Sequence, residues 1–441
     1  MIAARQQADA VNIAVEIAGR LQSTREIERA VCVASTQTRY FLWGDHGFGS
    51  GYAGLSLLWA HLDRCYPDAG WDIQAHNSLN VAVRAAEAQH LASPGLFGGL
   101  TGIAFAAQYA ANSSPRYNRL LGTLDAHTCS LVRPSIDFFQ SDPPVFGAPV
   151  ELFDLISGLS GAVAYLLTRY GTSREVDRTV EDILRSFVKL ASETNGLPAW
   201  HTPVQFLRTY DSMATAFPGG FLNCGLAHGV PGPLAAMALA YRCGVKVHGL
   251  GDAIERIAIW LLNHRHDDAW GMNWPSGIAL KMNKGGSTVG DASDVAPAHA
   301  GWCYGSPGLS RSLFLSGLAL KNDELCAAAI EAIEAVLKRP QQNRALKSPT
   351  FCHGIAGLLQ IVLRFYKEAP RKHLQTGLAE LVSLLLSMYD PHSMFGYQSY
   401  TSEGLMIDSP SLLDGAAGVS LVLLSIGLDV EPVWDRAFLL S

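Results

Sequence analysis

Seven times along this chain a Gly-x-x-Gly opens an apolar run of helical length. The copies are GYAGLSLLWAHL (Gly51, Gly54), GLTGIAFAAQYA (Gly99, Gly102), GLSGAVAYLLTRY (Gly158, Gly161) and GVPGPLAAMALAY (Gly229, Gly232). They continue with GSPGLSRSLFLSG (Gly305, Gly308), GIAGLLQIVLRFY (Gly354, Gly357) and GAAGVSLVLLSIG (Gly415, Gly418). Between first glycines the steps are 48, 59, 71, 76, 49 and 61 residues. A step of about fifty residues holds two helices of roughly 11–12 residues with their loops. Two glycines in one place say little. In seven copies they dictate architecture, because a supersecondary unit that cannot bury its own face must bury it against its neighbours.

The segments between the copies supply the second helix of each unit. VEDILRSFVKLASET, DAIERIAIWLLNH, ELCAAAIEAIEAVLKR and LQTGLAELVSLLLSMY are amphipathic, with polar faces suited to solvent. The glycine-opened helices are apolar nearly all round and belong inside, where small residues let backbones approach closely. The expected fold is all-α: an α/α toroid of seven inner and seven outer helices, forming a single domain over residues 1–441. The longer steps leave room for small insertions on one rim. The stretches 133–152 and 195–212, rich in proline and aromatics, read as irregular or short β-containing excursions. Residues 284–294, KGGSTVGDASD, read as a polar loop. His264 and His266 read as a solvated turn after a helix.

Charge narrows the partners. A net charge of −6 and a pI near 6.2 leave no basic footprint, so nucleic acid is not an expected partner. The N-terminal stretch carries Arg5, Asp9 and Glu16 among its apolar residues and reads as an amphipathic helix rather than a secretion signal. No window reaches the roughly 18 uncharged apolar residues of a membrane span. The expectation is a cytoplasmic protein without an integral membrane segment, any membrane association coming through partners. Eight cysteines are scattered through the chain without a secretory context, which argues against a disulfide framework. Cys243 and Cys326 read as buried small hydrophobes.

Chemistry gathers just before the glycines. If the copies superpose, these positions share one end of the barrel. There stand His228 in the fourth copy, Cys303 and Tyr304 in the fifth, and Cys352 and His353 in the sixth. Asp154 stands four residues before the glycine of the third copy. Two thiolates and an imidazole suit Zn²⁺, and three protein ligands leave one position open, as in catalytic rather than structural sites. That position can take water or a substrate thiol, which a metal would hold deprotonated. The two thiolate donors reduce the metal's Lewis acidity and favour the thiol. His228 lies outside the ligand set as an acid or base near neutral pH, and Asp154 is placed to orient it.

With its glycine repeats, WCYG (302–305), CHG (352–354), AHG (227–229) and DLISGLSG (154–161), the chain resembles the lanthionine synthetase component C family over essentially its whole length. The resemblance implies a toroid with zinc in its cavity, held by Cys303, Cys352 and His353. It implies a dehydrated precursor peptide as substrate, whose cysteine thiolates add to dehydroalanine or dehydrobutyrine to close (methyl)lanthionine rings. His228 is then the acid that protonates the α-carbon, with Asp154 beside it and Tyr304 lining the site. A dehydratase and a peptide exporter are possible partners in a modification complex. One position departs from the nisin-cyclase pattern: His299 stands where an arginine precedes the WCYG cysteine by four residues. A protonated His299 would still stabilise an enolate oxygen.

Three other readings stay open at this point. One is a different zinc–thiolate alkylating enzyme, glutathione-adding or prenyltransferase-like. Another is a non-catalytic scaffold that holds the peptide in a modification complex. An α/α glycosidase ranks last, since it needs two placed acids and Asp154 stands alone.

Overall fold

The computed structural model describes residues 2–38, 41–140, 147–207, 211–283, 286–401 and 403–441. The chain divides into two compact units, Met1–Leu124 with Ala345–Arg436, and Asp125–Arg344 with Ala437–Ser441.

The first unit holds four of the glycine-opened helices: Tyr52–Cys65, Leu100–Ala111, Ile355–Glu368 and Ala416–Gly427. Each is buried nearly all round; in the last, every residue from Ala416 to Ile426 is buried. Trp71–Ala88 packs on the first of these helices and Lys372–Ser387 on the third. Ala4–Leu21 packs on the last, where Ser420 donates to the Ala14 carbonyl. Near the C-terminus, Asp435 is fully buried and accepts from Gln360 and Arg364, both on the helix Ile355–Glu368.

The second unit holds the other three: Leu159–Leu166, Pro231–Arg242 and Ser306–Leu320. Their amphipathic partners are Arg174–Leu190, Leu250–Asn263 and Asp323–Lys338. Arg174–Leu190 shows why the sequence folds this way. Val176, Val180, Ile183, Phe187 and Leu190 recur at helical spacing and are buried. Ser173 caps the helix by accepting from the Val176 N–H, and Glu175 and Asp177 sit in its first turn.

The paired glycines have a steric cause. A Cβ on Gly54 would lie 2.2 Å from the Phe48 carbonyl oxygen, and one on Gly308 would lie 2.2 Å from that of Trp302. The second glycine of each of these copies is thus the surface on which its own preceding loop lies. The glycine-started helices lack a side-chain cap, and the same loop supplies it: Leu100, Ile355 and Ala416 donate their N–H to the carbonyls of Ser93, Ser348 and Ser409, seven residues earlier.

Backbone hydrogen bonds tie successive loops together two residues before the glycine. In the first unit Cys352 N–H donates to Leu413, Leu413 to Gly49 and Gly49 to Phe97. In the second, Ala227 N–H donates to Cys303, and Leu155, three residues before its own glycine, donates to Ala227. Equivalent positions of the repeat are therefore neighbours in space, within each unit.

Several local expectations need correction. Residues 286–289 of the supposed polar loop form a strand, which pairs antiparallel with Gly277–Asn283 (Leu280 opposite Val289). That strand pairs in turn with Phe221–Asn223, making a three-stranded sheet. Ser287, Thr288 and Val289 suit a pleated edge, and the pairing overrides the glycines on either side. Residues 284 and 285 lie outside the described residues. In 133–152, Arg133–Gln140 is a helix, because Pro134 falls in its first turn where its missing N–H costs nothing; residues 141–146 lie outside the described residues. In 195–212, Leu197–Pro198 pairs with Glu193–Thr194, Val204–Phe206 is a helical turn and Asp211–Ala216 is a helix; residues 208–210 lie outside the described residues. His266 begins a short strand paired with Gly271–Asn273, and His264 stacks on Trp260. Cys243 is exposed, since burial in its helix ends at Ala240, and Cys326 is half-buried.

Candidate active site

In the second unit the site is built around Asp154. It ends the short helix Val150–Phe153, and one carboxylate oxygen accepts the N–H groups of Ser157 and Gly158, each at 2.8 Å. These donors start the helix Leu159–Leu166, so its positive end faces the carboxylate. The other oxygen lies 2.6 Å from Nδ1 of His228. Asp154 is fully buried, whereas the His228 side chain keeps 39% of its exposure. An ionised carboxylate only accepts, so Nδ1 carries a proton and Nε2 is left for chemistry.

Burial by itself would push the His228 imidazole toward its neutral form. The Asp154 hydrogen bond and charge, with smaller contributions from Cys303 and Glu151, outweigh it and raise the pKa above the ordinary value. His228 is therefore held in one orientation, and its charged form is favoured over that of an ordinary imidazole.

Tyr304 stands beside it, with ring centroids 6.4 Å apart, and an equal 6.4 Å separates its ring from His299. The Tyr304 hydroxyl accepts from the Asn223 amide at 3.2 Å, and Asn223 in turn accepts from the Gly225 N–H at 2.9 Å. A Cβ on Gly225 would lie 2.5 Å from the Tyr304 ring, so the ring rests directly on backbone. His299 Nε2 is 3.5 Å from Cys303 Sγ. Burial disfavours a charged His299, but the Cys303 hydrogen bond and charge prevail and raise its pKa. Gly305, which follows Tyr304, has φ +91°, and a Cβ there would meet the His299 carbonyl oxygen at 2.1 Å. Trp302 is buried and donates to the Phe438 carbonyl, locking the loop that carries Cys303.

In the first unit Cys352, His353 and Asp414 converge at the starts of two buried helices. One ligand atom from each lies within 4.8 Å of the others, and His353 Nδ1 is 3.3 Å from an Asp414 oxygen. The sulfur, imidazole and carboxylate donors match the preferences of Zn²⁺. The cluster follows from the backbone bond between Cys352 and Leu413, which sets the two loops side by side.

The structure therefore pairs Asp154 with His228 and places Tyr304, His299 and Cys303 around one loop. It sets Cys352 next to His353 in the other unit. Sequence reasoning missed Asp414, Asn223 and Gly225. Asp414 had a signal: it occupies in the seventh copy the place His353 holds in the sixth, immediately before the first glycine. Asn223 had none, because its role depends on a tyrosine 81 residues away.

Comparison with known proteins follows the same lines. The family model described as Lanthionine synthetase C-like protein matches residues 43–439. The nisin biosynthesis protein NisC of Lactococcus lactis subsp. lactis is 25% identical over 424 residues, covering 94% of this chain and 95% of that protein. A solved structure of nisin cyclase superposes with a TM-score of 0.73 at 24% identity, covering 94% of this chain and 97% of that one. The α/α toroid expected from the helix pattern is the fold the two share. Among the described residues no helix is long and apolar enough to cross a membrane.

Proposed function

Because the chain belongs to the lanthionine synthetase C-like family and is a cyclase enzyme of that kind, we propose that it closes thioether rings in a dehydrated precursor peptide with the aid of one Zn²⁺. Residues 1–441 act as one domain in this reading. Cys303, Cys352 and His353 hold the ion. When bound, zinc supplies a Lewis acid that keeps an incoming cysteine thiol ionised at neutral pH.

The chain's own residues do the rest. The peptide sulfur adds to the β-carbon of dehydroalanine or dehydrobutyrine, and the electron pair of the double bond moves onto the adjoining carbonyl as an enolate. His228, held through Nδ1 by Asp154, which favours its protonated form, gives its Nε2 proton to the α-carbon. One S–C bond and one C–H bond form, and the imidazole is recharged from solvent. His299 offers a donor for the enolate oxygen, and Tyr304, fixed by Asn223, forms the wall between the two histidines. The enzyme works in the cytoplasm on a precursor that a dehydratase has already modified, and an exporter would take the product.

The observation that carries this reading is that two of the three proposed ligands, Cys352 and His353, converge beside the Asp414 carboxylate, an arrangement that plain helix packing does not require. The test is Cys352→Ala, assayed for metal and for ring closure on a dehydrated, cysteine-containing peptide. Ring closure conserves mass, so it appears as loss of thiol reactivity without a mass change. The variant should lose zinc and ring formation together. Stoichiometric zinc retained in the variant would refute the ligand assignment, and an added mass on the peptide would refute cyclisation.

A further inference from the structure

Beside the Cys352–His353–Asp414 cluster lies a cavity of about 360 Å³ that the chemistry above does not use. His353 and Asp414 form part of its lining, so the cavity opens against two of the three donors of that cluster. Phe41, Leu42, Ile407 and Leu413 give it carbon walls, and hydroxyls such as Ser399 and Thr401 are interspersed. Among the described residues no lysine or arginine lines it, and its single carboxylate is Asp414.

The walls are held in place. The hairpin of Gln398–Tyr400 and Met406–Asp408 is anchored at its base by Asp408, which accepts from the Met394 N–H and the Gln398 amide. At the inner end, the Tyr400 N–H donates to the Ser348 hydroxyl in the loop that leads to Cys352. The cavity and the donor cluster thus share one rigid support. At its mouth the wall residue Leu42 is 77% exposed. Such a rim suits an extended chain better than a small polar molecule.

We infer that this cavity is the subsite for the residue next to the reacting cysteine of the peptide, and that it takes an apolar side chain and rejects an acidic one. The inference rests on the cyclase reading for its occupant. An aliphatic side chain gains by leaving water against the carbon walls. An aspartate there loses hydration against the carbon walls, meets no lysine or arginine among the described lining residues and faces Asp414, while the zinc charge at His353 is committed to the cysteine thiolate common to any such peptide.

The experiment uses two short synthetic peptides, each with one cysteine and no dehydroamino acid, so that no ring can close. They differ only in carrying Leu or Asp beside the cysteine, with each flank tested in turn, and binding to the zinc-loaded enzyme is read by fluorescence anisotropy. The thiol is common to both and cancels from the ratio. The wild type should bind the Leu peptide about tenfold or more tightly than the Asp peptide at one flank. Tyr400→Ala, which removes a wall, and Leu42→Lys, which places a cation on the exposed rim, should each cut that preference to about threefold or less. Equal binding of the two peptides by the wild type, or a preference untouched by both variants, overturns the subsite. Ring closure on a dehydrated peptide, measured in parallel, reports on the cyclase reading alone. Its absence beside an intact Leu preference would remove the cyclase chemistry and support the subsite.

Discussion

Replacing Asp154 by asparagine isolates the charge that holds His228. The amide has the shape of the carboxylate, and its oxygen can still accept from Ser157 and Gly158, so the helix start is kept. What disappears is the 2.6 Å charge-assisted bond to Nδ1. Bonds to charged groups are worth about 1.5–3 kcal/mol. The His228 side chain is 39% exposed, so solvent screening holds the loss to the lower end, about 1.5 kcal/mol. At neutral pH that is about tenfold in rate if the imidazolium is the proton donor.

The pH profile gives the sharper readout. With the Asp154 charge gone, burial is opposed only by the smaller contributions of Cys303 and Glu151 and the His228 pKa falls, so the alkaline limb of activity moves to lower pH. Stability should follow the same sign. A pKa raised in the folded state contributes stability that is fully present below the ordinary imidazole value of 6.5 and is lost as pH rises through the folded value. The stability difference between wild type and Asp154→Asn should therefore be largest on the acid side and shrink toward alkaline pH. Thiol loss from a dehydrated peptide, followed across neutral pH with zinc content checked in each sample, measures the first effect. Urea unfolding over the same range measures the second. A variant with full zinc, an unchanged rate and an unmoved alkaline limb would remove the pair from the mechanism.

Three further substitutions test other parts of the account. His228→Asn should keep its zinc while ring closure falls by about 10²–10⁴-fold, the usual scale for losing a general acid, as seen in single-turnover assays. Gly308→Ala places a Cβ 2.2 Å from the Trp302 carbonyl and must displace the loop bearing Cys303. It should cost about 1–3 kcal/mol in urea unfolding and weaken zinc in a chelator competition. Asp435→Ala removes the carboxylate that Nε and Nη2 of the buried Arg364 both reach, leaving the guanidinium with Glu431 and the Pro432 carbonyl. It should destabilise the protein by about 1.5–3 kcal/mol without removing a zinc ligand.

Much was legible in one dimension because the repeat is local. Helical period and paired glycines report a backbone that folds back on itself within a dozen residues, so the seven buried helices could be read directly. The same register marked His228, Cys303, Tyr304, Cys352 and His353 as a set, each one or two residues before a first glycine. The misread segments are those whose structure is set by distant partners. The strand Gly286–Val289 exists because Gly277–Asn283 lies beside it, and 277–283 in turn pairs with 221–223, more than fifty residues earlier.

The chain alone thus determined the helical repeat, the family likeness and the donor types placed before the glycines, all of which are short-range properties of residue spacing. Tertiary structure alone decided which of those groups meet. Asp154 reaches His228 across 74 residues, and Asp414 comes to rest against His353, because backbone hydrogen bonds clip consecutive loops together at matching positions. Distances of a few ångströms between groups so far apart in sequence depend on how the intervening loops close, and spacing along the chain does not encode that.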